Sequence, residues 1–276
     1  VSSSTQRTAV LFAGIAASAL LFALAVRPSL SVRGIPGPTI ALAESPLFAS
    51  IWLVVAFAAA LVVASIVGKA INAVVGLFVL GCGVGLLAMR SGTIEDFAFG
   101  ATSSLAGLAV ETLVWAVLVL AASVFVFRVS GPLPDAVETD QPRVHGPFGT
   151  MAFVSLNAGL LALIGVLVMT VSASKGQALA GTFVGGVLTG LAGRLIAPRT
   201  PPIMLFVAPV VFGALGHLVA HLQLKGAPID AAYVQLQLSR LAYPMPVDWA
   251  AGALAGTAVG IGWARSFIKA PDDDRR

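Results

Sequence analysis

Four ionisable side chains stand where this chain can least accommodate a charge: Glu111, His217, His221 and Asp248. Glu111 and the two histidines lie inside long apolar runs, and Asp248 lies at the mouth of another. At the centre of a bilayer such a group costs on the order of a few kcal/mol unless it finds a partner. The stretch His217-Leu-Val-Ala-His221 places two imidazoles one turn apart on one helix face. Neutral imidazoles and a carboxylate are good ligands for a transition metal, and they also relay protons. The spacing lacks the adjacent Glu of His-Glu-x-x-His, so it does not read as a metalloprotease. Two readings of the four residues stay open. In one they form a shared ion, proton or metal site. In the other each is satisfied separately, by a backbone carbonyl, a hydroxyl such as Thr112, or interfacial water.

The elements that must position them are membrane spans. Of the 276 residues, 58% are hydrophobic and only 10% are charged, against about 25% charged in an ordinary soluble domain. The mean hydropathy is +0.98. No water-soluble exterior can absorb that much apolar surface. The apolar stretches are continuous and do not alternate, which excludes a transmembrane barrel. The fold class is therefore all-α: a polytopic transmembrane helix bundle forming a single integral membrane domain over 1–276.

A span needs about 20 mostly apolar residues. Eight segments qualify: 8–26, 47–67, 71–89, 105–127, 150–172, 178–197, 203–224 and 247–267. Pro- and Gly-rich breaks separate them, the tightest being Gly68-Lys69-Ala70. The first segment, with Arg7 and the triplet Ala23-Leu24-Ala25, has some features of a signal peptide. Its apolar run is long for one, and a retained helix is expected. Residues 128–149 read as a polar connector. Residues 229–243 read as a short helix lying at the interface, anchored by Tyr233 and Tyr243. Thr93-x-x-Asp96 has the spacing of a helix cap, although a solvated acid pair in a loop is the first expectation for Glu95 and Asp96.

Eight spans put both termini on one side, together with ten of the 16 basic residues. The positive-inside rule then predicts cytoplasmic termini in a bacterial-type inner membrane. Counting spans also brings Glu111, His217, His221 and Asp248 toward one face of the membrane, as one polar layer.

Two windows of the chain are alike. Ala73, Gly76, Phe78, Val79, Gly81, Gly85 and Leu86 recur as Ala178, Gly181, Phe183, Val184, Gly186, Gly190 and Leu191, all at an offset of 105. If this is a true repeat, segments two to four match segments five to seven. Three spans is an odd number, so the copies would be inverted, as in many transporters. Shared Gly, Ala, Val and Leu composition is the plain alternative.

Most glycines read as helix-packing positions. Gly252, Gly256 and Gly260 form a small-xxx-small ridge, and Gly81/Gly85 and Gly186/Gly190 repeat the spacing. The single Cys82 reads as a small packer. No phosphate loop, nucleophile elbow or Cys-x-x-Cys is present, and nothing in the sequence specifies an enzyme or a cofactor. The basic residues are scattered, which argues against nucleic acid. The expected partner is the lipid bilayer, with partner membrane proteins or further copies of the chain next. The leading functional expectation is a small-solute or ion transporter or permease. A non-catalytic membrane subunit or scaffold comes second, and a metal- or haem-binding membrane protein third.

Overall fold

A computed structural model describes residues 4–32, 34–100, 104–131, 133, 156–198 and 201–268. The polar connector lies largely outside these residues, as do the start of the fifth predicted span and the C-terminal tail. Among the described residues the chain forms ten α-helices and no β-strand beyond two isolated bridges. They are α1 Ser4–Val26, α2 Pro46–Ala70, α3 Ala73–Arg90, α4 Ile94–Ala98, α5 Leu105–Ser130, α6 Leu160–Met169, α7 Lys175–Ile196, α8 Ile203–Gln223, α9 Ile229–Val234 and α10 Pro246–Ala264. Six of these (α1, α2, α3, α5, α7 and α8) are each long and apolar enough to cross a membrane. The protein is a multi-pass membrane protein.

Local chemistry sets the helix ends. Asn72 accepts from the Val75 N–H at 3.0 Å and starts α3, and the Asp248 carboxylate accepts from the Met245 N–H at 2.8 Å to start α10. Such caps satisfy backbone donors that a helix start leaves without partners. Gly131, at φ 83° and ψ −178°, takes a backbone conformation that is almost confined to glycine and ends α5.

The outward faces of the long helices are apolar: Ile66, Val110 and Val117 are each more than 60% exposed. In water that would be an aggregation hazard, whereas in a bilayer it is the lipid-facing shell. α10 shows the reverse. Ala250, Ala253 and Leu254 are fully buried, and α3, α5, α7 and α8 all pack on it. Sheltered from lipid, it need not be strongly apolar, and it is not among the helices apolar enough to span alone.

α7 and α10 run in parallel with their backbones nearly touching. A Cβ on Gly256 would strike the Phe183 carbonyl, one on Gly260 the Val187 carbonyl, and one on Gly186 the Gly252 carbonyl. Gly190 faces Thr257, and Gly252 faces Thr182. In hydrocarbon there is no hydrophobic drive between helices, so this close approach and its dispersion contacts hold the pair together. Gly81 meets α10 from another side, at Leu254 and Ala255. Gly85 departs from its expected packing role, since a Cβ added there would meet nothing within 4 Å. It borders an apolar cleft of about 360 Å³ between α3, α7 and α10, whose lining includes Gly81, Cys82 and Phe183.

Pro209 sits inside α8 and has no N–H to give the Leu205 carbonyl. The Thr257 hydroxyl of α10 donates to that carbonyl at 3.5 Å. The broken rung thus becomes an interhelical tie.

The connections of residues 27–32 with 34–45, 91–100, 170–174 and 224–245 gather at one end of the bundle. The Gly92 N–H donates to Gly37 O at 3.1 Å, Lys175 Nζ reaches Gly92 O at 3.1 Å, and the Tyr233 hydroxyl reaches Glu95 at 3.3 Å. The Thr93 N–H donates to Asp96 Oδ2 at 2.7 Å and caps α4. Residues 229–243 are not one helix. α9 stops at Val234, Leu236 turns left-handed at φ 57°, and a short 3₁₀ turn, Arg240–Ala242, follows.

Candidate functional site

α5 and α8 are antiparallel neighbours, with Phe127 against Phe206 toward one end and Thr112 against His217 near the other. His217 is fully buried. Its Nε2 lies 2.8 Å from the Pro244 carbonyl, and its Nδ1 lies 3.0 Å from the Thr112 hydroxyl. A carbonyl only accepts, so Nε2 carries a proton and donates it. In the neutral ring Nδ1 is then an acceptor, and the Thr112 hydroxyl must donate to it. That hydroxyl is also 2.8 Å from Leu108 O in its own helix. One proton cannot serve both acceptors. It turns toward His217 when the ring is neutral and toward Leu108 when Nδ1 is itself a donor. The hydroxyl is the moving part of the contact, and with no carboxylate beside the buried ring the neutral arrangement is the favoured one.

Glu111 precedes Thr112 on α5, so its side chain leaves the helix about 100° away from that of Thr112. It meets the connection of residues 34–45. There the Ile40 N–H donates to Oε1 at 3.2 Å, and the Ala41 N–H also points at the carboxylate. Six residues into α5, Glu111 lies about 9 Å below the helix start. The connection folds back along α5 to reach it. Its Gly37, Pro38 and Thr39 are buried, and they line a small cavity of about 30 Å³ bounded also by Ser29, Ser91, Glu111, Trp115 and Val247.

Asp248 is fully buried and has its own partner. Lys175 Nζ lies 2.8 Å from its Oδ1 and 3.0 Å from its Oδ2. The same ammonium donates to Gly92 O, and the Thr182 hydroxyl donates to the Asp248 carbonyl at 2.9 Å. The pair ties together the starts of α7 and α10 and the turn after α3. His221, one turn beyond His217, is exposed at the end of α8.

The single layer of Glu111, His217, His221 and Asp248 expected from span counting is thus replaced by separate arrangements. No hydrogen bond or ion pair joins Glu111 to His217 among the described residues. Angular divergence on α5 separates them, and Asp248 is taken up by Lys175. Among the described residues no three His, Cys, Asp or Glu side chains converge as a metal site would require.

The connection of residues 34–45, with its return to Glu111, is hidden in the sequence because its Gly and Pro content reads as an ordinary surface turn. Lys175 and Arg194 read there as loop charges. Arg194 is only 2% exposed, in the last turn of α7. Its one signal in the sequence is its place inside an apolar run.

Outside the spans, the Tyr233 phenol is pushed above its ordinary ionisation range, first by partial burial and then by the Glu95 carboxylate.

Comparison with protein-family models, curated proteins and solved structures finds no match to this chain.

Proposed function

We propose that this protein is an ion or small-solute permease built from two inverted three-helix units, α2-α3-α5 and α6-α7-α8. One observation carries the reading. Thr112 and His217, in hydrogen-bonding contact where antiparallel α5 and α8 meet, are 105 residues apart. That separation equals the offset between the two similar sequence windows. In a pair of helices related by a two-fold axis, equivalent residues touch only where the axis passes between them.

Further packing agrees. α2 packs on α3 as α6 packs on α7, and α2 meets α5 as α6 meets α8. Gly76 approaches the Ala64 carbonyl, and Gly181, its counterpart, approaches Val166 and Thr170 at the corresponding level. In inverted-repeat transporters solute sites lie at the interface of the repeats, and rocking of one unit against the other exposes them alternately. Both termini are assigned to the cytoplasm on the charge bias of the loops.

The scaffold reading draws less support. The ridges it would offer to partners, Gly186/Gly190 and Gly252/Gly256/Gly260, are occupied inside the bundle by α7 and α10 packing on each other.

Thiol accessibility tests the permease reading. With Cys82 replaced by Ala, a cysteine at Ala116, buried one turn from Thr112, should react slowly with membrane-impermeant maleimide from either side of sealed vesicles. A static scaffold leaves it unreactive from both sides.

A further inference from the structure

We propose that Glu111 and the 37–41 segment form a binding site for one monovalent cation of sodium size. The inference deepens the permease reading and rests on it for biological purpose, but its chemistry stands on the cavity alone.

The cavity, about 30 Å³, exceeds the roughly 10–15 Å³ that one water-sized occupant needs. Its polar wall is an excess of acceptors. The Ser29 hydroxyl donates to Ala25 O at 2.9 Å, and the Ser91 hydroxyl donates to Ala88 O at 2.8 Å. Both protons are committed to the helix ends, so each oxygen has only lone pairs left to offer. The Glu111 carboxylate adds a charge that no Lys, Arg or His pairs with among the described residues. Ile40 and Ala41 supply its N–H contacts.

The second, independent observation is Thr39. It is only 6% exposed, it lines the cavity, and its hydroxyl has no hydrogen-bond partner among the described residues. A buried hydroxyl without a partner is costly. A cation that takes its lone pair offsets part of that cost. An all-oxygen set with one carboxylate suits a hard cation, not a soft metal. One carboxylate balances one positive charge, and the small volume favours sodium over larger ions.

The Lys175–Asp248 pair fixes two parts of this wall from behind. Val247 precedes Asp248, and Ser91 precedes Gly92, whose carbonyl Lys175 holds.

The test is equilibrium binding of ²²Na⁺ to purified protein in nanodiscs, in choline chloride, with K⁺ and Li⁺ as competitors. One saturable site per chain is expected, displaced poorly by K⁺. Glu111→Gln should abolish it while the helical circular dichroism stays unchanged. Thr39→Val should weaken it about tenfold, the loss of one oxygen ligand, and Thr39→Ser should restore it. If Glu111→Gln does not fold, the Thr39 pair decides alone. Absence of saturable binding, or binding indifferent to both positions, overturns the site. That outcome includes a cavity holding only water. Binding without transport leaves the site standing and overturns the permease reading. Transport without binding does the reverse.

Discussion

Thr112 Oγ1 and His217 Nδ1 are 3.0 Å apart, on helices that meet antiparallel, at positions 105 residues apart in the chain. The contact is fully buried, and among the described residues its members have no other side-chain partner. Removing either leaves a polar group buried without its mate, at a cost of about 1–3 kcal/mol. Thr112→Val and His217→Leu should each lower the thermal unfolding midpoint in detergent. The double variant should fall short of the sum of the two, since they share one interaction. Additive losses would mean the contact does not hold the crossing.

The α7–α10 seam makes a prediction of opposite signs at two glycines. Gly260→Ala drives a methyl into the Val187 carbonyl, with backbone on both sides and no flexible neighbour to yield. It should destabilise the bundle by about 1–3 kcal/mol, the usual cost of overpacking. Gly85→Ala fills open space in the cleft and should be neutral or stabilising, by up to about 1 kcal/mol from reduced backbone freedom. Thermal unfolding of the two single variants checks this, and equal losses would contradict the seam.

Fully buried Asp248 pairs with Lys175, whose side chain is 12% exposed, at the end of the bundle where residues 34–45 and 91–100 meet. Asp248→Leu takes the carboxylate from the ammonium and should cost at most about 3 kcal/mol, since Lys175 keeps some exposure and the Gly92 carbonyl, whereas Lys175→Met with Asp248→Leu should recover most of it. The single change should also weaken sodium binding indirectly, because Val247 and Ser91 lose their support. If the double variant is no more stable than Asp248→Leu, the pair does not clamp this end of the bundle.

Legibility in the sequence follows the physics of the solvent. Six of the eight predicted spans correspond to helices apolar enough to cross a membrane, because lipid demands continuous apolarity from residues such as Ile66 and Val117. α10 is legible through its glycines, although its shelter from lipid relaxes that demand. The candidate site is less legible. Glu111 and His217 are conspicuous as charges in apolar runs, but two consecutive side chains on a helix diverge, so Glu111 and Thr112 serve different neighbours. Thr39 carries no signal at all, since a threonine between Pro38 and Ile40 looks like any turn residue. Its meaning comes from a connection that folds back along α5, and no local pattern encodes that return. Spacing groups His221 with His217, but the helix ends there and leaves it outside.

Whether the protein carries sodium is decided by charge movement in proteoliposomes adsorbed to a solid-supported membrane. A jump in sodium concentration should give a saturable transient current. Glu111→Gln should silence it, and His217→Leu should reduce it without abolishing sodium binding. Currents indistinguishable from those of protein-free liposomes under sodium, potassium and pH jumps would contradict a sodium-linked permease, as would a sodium current that Glu111→Gln leaves intact.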